Sequence, residues 1–243
     1  MSDGVELQRD GNVAEIILAR PHRRNALTPA MMAALTEVIS ETGADDHVGA
    51  IVVRGQDGFF CSGLDLKEIS TSNAPAQAWT SVHAALAAID MPVVAAVEGG
   101  AINAGAALAL ACDLLVVGED SYIQIKEAEM GMTPPVNAAW LALRYPPSVG
   151  LQLALTCRRF TGRDLHRLGV ALDVVATRDV AKHAHALAAQ LAAYPRQGAS
   201  AAKVALRAAR GESLPSFLTA VDRARSRRAG DRDTAPTSGR RPQ

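Results

Sequence analysis

Cysteine is scarce in this 243-residue chain: Cys61, Cys112 and Cys157 form an odd set with no C-x-x-C pair. That argues against both a disulfide framework and a zinc site, and it predicts reduced, mostly buried thiols. Histidine does not restore a metal reading. Of the six, only His183 and His185 are close, and two residues apart on a helix they diverge, as solvated positions do. Aromatics make up 4%, so a core must be built from Ala, Val, Leu and Ile, which the 49% hydrophobic content supplies. This length can bury one large core or two smaller ones. Excess charge of one sign is lacking too. With 25 Lys+Arg against 25 Asp+Glu, nothing marks the chain for nucleic acid or an anionic membrane. The uncharged, apolar-leaning stretch Gly99 to Cys112 is bounded by Glu98 and Asp113 and falls short of the ~20 residues a bilayer crossing takes. Met1-Ser2-Asp3-Gly4 shows no basic segment followed by an apolar run, so a cytoplasmic location is expected.

What is present is an alternation of strands and helices. Val13 to Leu18 (VAEIIL) and Ala50 to Arg54 (AIVVR) read as β-strands, the second of the fully buried kind. Between them, Thr28 as N-cap and Pro29 at the first helical position open a helix on which Met31, Leu35, Val38 and Ile39 recur until Gly43. A turn-rich segment, Gly55 to Gly63, a polar loop around Ser70 to Pro75 and a helix over roughly Ala76 to Ala88 follow. Pro92 to Val97 (PVVAAV) and Asp113 to Val117 (DLLVV) are further buried-strand candidates, separated by a Gly/Ala-rich spacer whose second half predicts a tightly packed helix. From Trp140 the pattern is mostly helical, interrupted at Pro146-Pro147, Gly169 to Val175 and Pro195. Recurring strand-then-helix units predict stacked β/α layers. From Arg223 onward seven arginines are interspersed with Gly, Asp, Thr, Ser and Pro, which reads as a disordered basic tail or as a docking segment.

Three segments can carry chemistry: Phe59 to Glu68 (FFCSGLDLKE), Gly99 to Ala107 (GGAINAGAA) and Lys126 to Pro134 (KEAEMGMTP). Each joins a strand end to a turn or helix start, where backbone N–H groups are free for anions or polarised carbonyls. Small residues from Asn103 let a ligand approach the amides of Ala104 or Gly105, at the positive end of a helix dipole; close helix packing explains the same residues. Ser62 is not a nucleophile elbow, because G-x-S-x-G needs glycines where Phe60 and Leu64 stand. Gly99 to Gly105 fits neither G-x-G-x-x-G nor the P-loop, which disfavours dinucleotides and triphosphates. Glu127 lies between apolar flanks that would desolvate it and raise its pKa, while Lys126 beside it would lower the pKa. An exposed loop carboxylate paired with Lys126 is the plainer reading of Glu127, and the same holds for Glu129.

Together these segments resemble the crotonase superfamily, the enoyl-CoA hydratase/isomerase family. The likeness runs through Arg20-Pro21-His22-Arg23-Arg24-Asn25-Ala26-Leu27, Phe60-Cys61-Ser62-Gly63-Leu64-Asp65-Leu66-Lys67-Glu68 and Cys112-Asp113 to Leu168-Gly169-Val170. It implies an α/β fold, a spiral of β-β-α units over residues 1–195, with a helical C-terminal region over 196–228 that assembles trimers, often paired into hexamers. Residues 229–243 would be tail. It also implies an acyl-CoA thioester as substrate, no separate cofactor, and a place in fatty-acid metabolism. Ser62 and Ala104 would supply the two backbone N–H groups of an oxyanion hole. Ser62, Gly63, Leu64 and Asp65 would line the CoA pocket, with Arg23, Arg24 and Ala26 at its nucleotide end.

Family hydratases use two glutamates, and aligned through Cys112-Asp113 these positions fall on Ala107 and Glu127. Adding water requires activating it and delivering a proton, which two carboxylates manage together. One carboxylate suffices to move a proton from the α- to the γ-carbon of a 3-enoyl thioester. The resemblance therefore implies an enoyl-CoA isomerase with Glu127 as proton shuttle. A hydratase (lyase) and a non-catalytic acyl-CoA binder are the alternatives.

Overall fold

The computed structural model describes residues 4–69, 74–209, 211 and 213–219. Among these residues the elements are β1 (Val5–Asp10), β2 (Val13–Leu18), α1 (Pro29–Ala44), β3 (Ala50–Gly55), α2 (Ala74–Ala88), β4 (Val93–Val97), β5 (Gly100–Ile102), α3 (Ala104–Ala111), β6 (Leu114–Gly118), β7 (Tyr122–Gln124), α4 (Pro135–Arg144), α5 (Pro147–Leu155), β8 (Phe160–Thr161), α6 (Gly162–Arg167), β9 (Asp173–Val175), α7 (Val180–Ala192) and α8 (Arg196–Ala209). Residues 214–219 are helical as well. The expected basic tail from Arg223, and Ser70 to Asn73 of the expected polar loop, lie outside the described residues.

Six strands form one sheet in the order β1-β2-β3-β4-β6-β9, parallel except for the β1–β2 hairpin. The apolar runs alternate faces strictly. Val13, Ala50, Val52, Val94, Ala96 and Val116 point to one side and pack on Val180, Ala184 and Ala188 of α7. Their neighbours Ala14, Ile16, Ile51, Val53, Val93, Ala95, Leu115 and Val117 join the larger core beneath α1, α2 and α3. A parallel sheet covered on both faces needs such uninterrupted apolar strands. α1 starts where its cap predicts: Thr28 Oγ1 accepts from Met31 N at 3.1 Å, with Pro29 next.

A second, three-stranded sheet runs β5-β7-β8. The chain thus visits the large sheet, then the small one, then a helix, as β4-β5-α3 and again as β6-β7-α4. In the preceding turn of the spiral the small-sheet strand shrinks to two isolated bridges, Cys61↔Ala101 and Leu27↔Leu64. That repetition places the three chemistry-bearing segments side by side at the ends of consecutive turns. None of the described helices is long and apolar enough to cross a membrane.

The short strands β5, β7, β8 and β9 were not expected individually. β1 was not expected either, because it is an edge strand on which only Val5 is buried. α4 also begins at Pro135, five residues ahead of the expected helical start.

Candidate active site

Gly55 ends β3 where a β-carbon would strike the carbonyls of Phe59 and Phe60, so glycine lets the chain fold back on itself here. Asn25, buried and at φ 55°, holds that fold. Its amide donates to Phe59 O at 2.6 Å and Gln56 O at 3.0 Å, and its Oδ1 accepts from Arg20 N at 2.9 Å. Beyond Phe60 all but one of the amides up to Asp65 have a definite destination. Cys61 N–H donates to Gly100 O (3.0 Å), Ser62 N–H to Arg24 O (3.0 Å) and Asp65 N–H to Leu27 O (2.8 Å). Gly63 N–H faces Cys61 Sγ at 3.4 Å.

This corrects the expected oxyanion donor at position 62. The Ser62 amide is committed to Arg24, and its hydroxyl donates to Arg23 O at 3.3 Å. Among the described residues the Leu64 amide has no acceptor. The cause is register: in the parallel bridge Leu27↔Leu64, Leu27 bonds Gly63 O and Asp65 N–H, which turns the polar groups of residue 64 the other way.

The second amide lies at the start of α3. Ala104 is its first residue, so its N–H has no partner within the helix. The turn into α3 is made by Asn103 at φ 52° and ψ −109°, a conformation non-glycine residues seldom adopt, and several hydrogen bonds hold it there. Asn103 N–H donates to Gln124 O (2.9 Å), its Oδ1 accepts from Lys126 N (2.8 Å), and its carbonyl accepts from Ala107 N (3.0 Å) and Asn137 Nδ2 (3.1 Å). Two glycines seat the 61–64 loop against this turn. A β-carbon on Gly63 would sit 3.1 Å from Ile102 O and 3.7 Å from Ala104 N, and one on Gly105 would strike Cys61 O. Leu64 and Ala104 therefore present their free amides from adjoining turns.

Glu127 follows β7, with only 8% of its surface exposed. Its Oε1 accepts from Asn137 Nδ2 at 3.1 Å, while Oε2 is buried with no partner among the described residues. Burial raises its pKa, partly opposed by N–H donors: its own backbone, the Asn137 amide and the Lys126 backbone. The plainer reading, an exposed carboxylate paired with Lys126, does not hold. Lys126 Nζ instead lies 3.7 Å from the exposed Glu129. Ala107, at the alignment position of the other hydratase glutamate, is a buried alanine on α3. Asn137 escaped the sequence reading; ten residues beyond Glu127 on α4, it carries no local signal.

Next to the 61–64 loop lies an open cleft of about 370 Å³ lined by Arg23, Arg24, Ala26, Ser62, Leu64 and Asp65, with His22, Leu66 and Lys67. Gly63 does not line it; its role is the close approach to α3. Buried Asp65 orders the cationic wall, 3.4 Å from both Arg20 and Arg23. Burial raises its pKa, but the Arg23 bond, the Lys67 N–H and Arg20 outweigh that, and the carboxyl is held below its usual range. Arg24 stands over the Phe59 ring at 5.7 Å. Cys61, buried like Cys112, has its thiol pushed up to about 12 by burial and is no nucleophile.

Two unpaired amides beside a basic, half-desolvated carboxyl can stabilise negative charge on a carbonyl oxygen and move a proton at the carbon next to it. A family model described as enoyl-CoA hydratase/isomerase matches residues 8–229. The 2,3-dehydroadipyl-CoA hydratase of Escherichia coli (strain K12) is 30% identical, the match covering 87% of this chain and 85% of that one. An enoyl-CoA hydratase structure from Mycobacterium avium subsp. paratuberculosis superposes with a TM-score of 0.82 over 89% of each chain at 23% identity, a likeness of fold. A monofunctional enoyl-CoA isomerase from M. smegmatis gives a TM-score of 0.75 at 25% identity over 89% of this chain and 98% of that one.

Proposed function

The chain belongs to the enoyl-CoA hydratase/isomerase family, and from that premise we propose that this acyl-CoA-processing enzyme converts 3-enoyl-CoA to 2-enoyl-CoA with Glu127 as its only proton shuttle. The thioester oxygen accepts hydrogen bonds from the amides of Leu64 and Ala104, Leu64 taking the place first assigned to Ser62. The Glu127 carboxylate removes a proton from the α-carbon. The C–H electron pair passes into the thioester and its charge collects on the oxygen. The proton then returns from Glu127 to the γ-carbon, the double bond re-forms between the α- and β-carbons, and the carboxylate is as it began. No cofactor is consumed. Each amide would supply about 2.7 to 4 kcal/mol of barrier lowering, as oxyanion donors do.

The observation that carries this reading is a buried carboxyl with one oxygen unpartnered among the described residues, in a chain whose position 107 carries an alanine in place of a second carboxylate. The cleft with Arg23, Arg24 and Lys67 suits the phosphates of the CoA nucleotide. The same family reading proposes a homotrimer or a dimer of trimers, which sedimentation would establish.

Hydration of 2-enoyl-CoA is the second reading. The E. coli relative is named a hydratase, and two buried acceptors here, Glu127 Oε2 and Asn137 Oδ1, lack donors among the described residues, as the holders of a water molecule would. Supplying 3-enoyl-CoA and 2-enoyl-CoA separately decides. Isomerisation of the first, with kcat down by about 10²–10⁴ in Glu127→Gln, supports the isomerase. Hydration of the second, lost in the same variant, assigns a lyase. Tight binding of both without turnover assigns a non-catalytic binder.

A further inference from the structure

We propose that Asn137 is the positioning residue of this site: its one amide group ties the proton-shuttling carboxylate to the turn that presents the Ala104 N–H. The inference rests on Glu127 being the shuttle, and it adds what aims that shuttle.

An asparagine amide has two N–H hydrogens. Here one acceptor for each lies 3.1 Å from Nδ2: Glu127 Oε1 and the carbonyl of Asn103. Both neighbours are acceptors only, so the amide orientation is dictated by them. Asn103 is the left-handed residue immediately before Ala104, and its carbonyl also receives the first hydrogen bond of α3, from Ala107. The carboxylate is thereby locked at one oxygen to the backbone of the oxyanion turn. Oε2 is left as the oxygen able to accept a proton.

Three separate segments meet at Asn137. The residue is buried on α4, Glu127 follows β7, and Asn103 joins β5 to α3. A side chain serving only to fill space would not need to be an asparagine, because burying an amide whose Oδ1 has no donor is costly in an otherwise apolar helix face. Its presence is explained if its two N–H groups are used.

No charged side chain among the described residues competes with it. Among the described residues the groups that act on Glu127 beyond burial are N–H donors: its own backbone, Asn137 and the Lys126 backbone. The nearest charges in sequence, Lys126 and Glu129, face each other on the surface. Removing the Asn137 donor therefore withdraws a bond that favours the ionised carboxylate, and Glu127 must hold its proton to higher pH.

The test uses Asn137→Asp, which keeps the shape and removes both N–H donors, and Asn137→Leu, which removes all hydrogen bonding. Infrared titration of the Glu127 carboxyl, isolated by subtracting the spectrum of Glu127→Gln, reads its protonation midpoint with no substrate present. We expect the midpoint to rise by about one pH unit in Asn137→Leu, the worth of one charge-assisted hydrogen bond. It rises further in Asn137→Asp, where two carboxyls in contact share a proton. With 3-enoyl-CoA, kcat should fall about tenfold and its acid limb should move up with the midpoint, while KM stays within about twofold. A packing role predicts instead that kcat falls in Asn137→Leu while the Glu127 midpoint of that variant stays at the wild-type value. That result, or an unmoved midpoint in both variants, overturns the proposal. If the midpoint moves as expected but neither enoyl thioester is turned over by the wild type, the coupling stands and the isomerase reading falls.

Discussion

His83 lies fully buried on α2, with its Nδ1 accepting from Trp140 Nε1 at 2.8 Å and the Trp79 ring edge-on at 4.2 Å. Since an indole N–H can only donate, the imidazole proton sits on Nε2, which has no partner among the described residues. Burial drives its pKa down to about 3 from the ordinary 6.5. The unfolded chain therefore takes up this proton below about pH 6.5 while the folded one refuses it until about pH 3. The stability His83 permits is whole above pH 6.5 and is lost as pH falls towards 3. His83→Gln keeps an acceptor for Trp140 and titrates nothing. Between pH 7.5 and 5, denaturant melts should show the wild type losing about 2 kcal/mol more than this variant; parallel slopes would mean that the buried imidazole is not neutral. Sequence patterns named Glu127 and Ala104 as candidates because both sit in segments with a recognisable character. Leu64 was named only as a pocket residue, since nothing in FFCSGLDLKE says which of its amides will be left unpaired.

At the scale of elements, α3 shows how close the backbone segments of the site must come. Replacing glycine by alanine within a helix ordinarily stabilises by about 0.5–1 kcal/mol. At Gly105, the second residue of α3, the sign should invert, because the new methyl would overlap the Cys61 carbonyl and push the 61–64 loop away. Gly105→Ala should lose about 1–3 kcal/mol in denaturant melts, as overpacked sites do, and about 10²–10³ in kcat through displacement of an oxyanion amide. An unchanged or more stable variant would show that the loop tolerates retreat. The elements legible from sequence were those with a physical signature of their own. β2, β3, β4 and β6 are apolar runs buried on both faces, and α1 carries a Thr-Pro start. β5, β7, β8 and β9 are two or three residues long, too short for any periodicity, and exist because a partner strand is in place.

Across the whole molecule, Asp113 joins parts that no local pattern connects. Its Oδ2 accepts from Val93 N at the start of β4 (2.9 Å) and meets Lys203 of α8, and its Oδ1 lies 3.2 Å from Arg144 of α4. The Lys203 ammonium is largely buried and donates to Met91 O as well. Burial lowers its pKa and Asp113 partly restores it. Asp113→Ala would leave that ammonium enclosed without its carboxylate, and we expect a loss of about 3 kcal/mol, a fall in Tm of roughly 6–12 °C. A calorimetric Tm within a degree or two of wild type would show that the hydrogen bonds of Arg196 to Asp45 O and of Arg207 to Ala87 O hold α8 without Asp113. The Cys112-Asp113 pair served the sequence reading only as an alignment landmark, and its part in joining the sheet to two helices became visible with the fold. The linear chain by itself determined the layered α/β class, the runs that become central strands, the helix cap at Thr28 and the three segments able to do chemistry, because each depends on neighbours within a few residues. The tertiary structure alone decided that the Ser62 amide is spent, that the Leu64 amide is free and that Asn137 reaches Glu127. The direction of an N–H follows from strand register, and two side chains on separate elements meet only where the fold brings them.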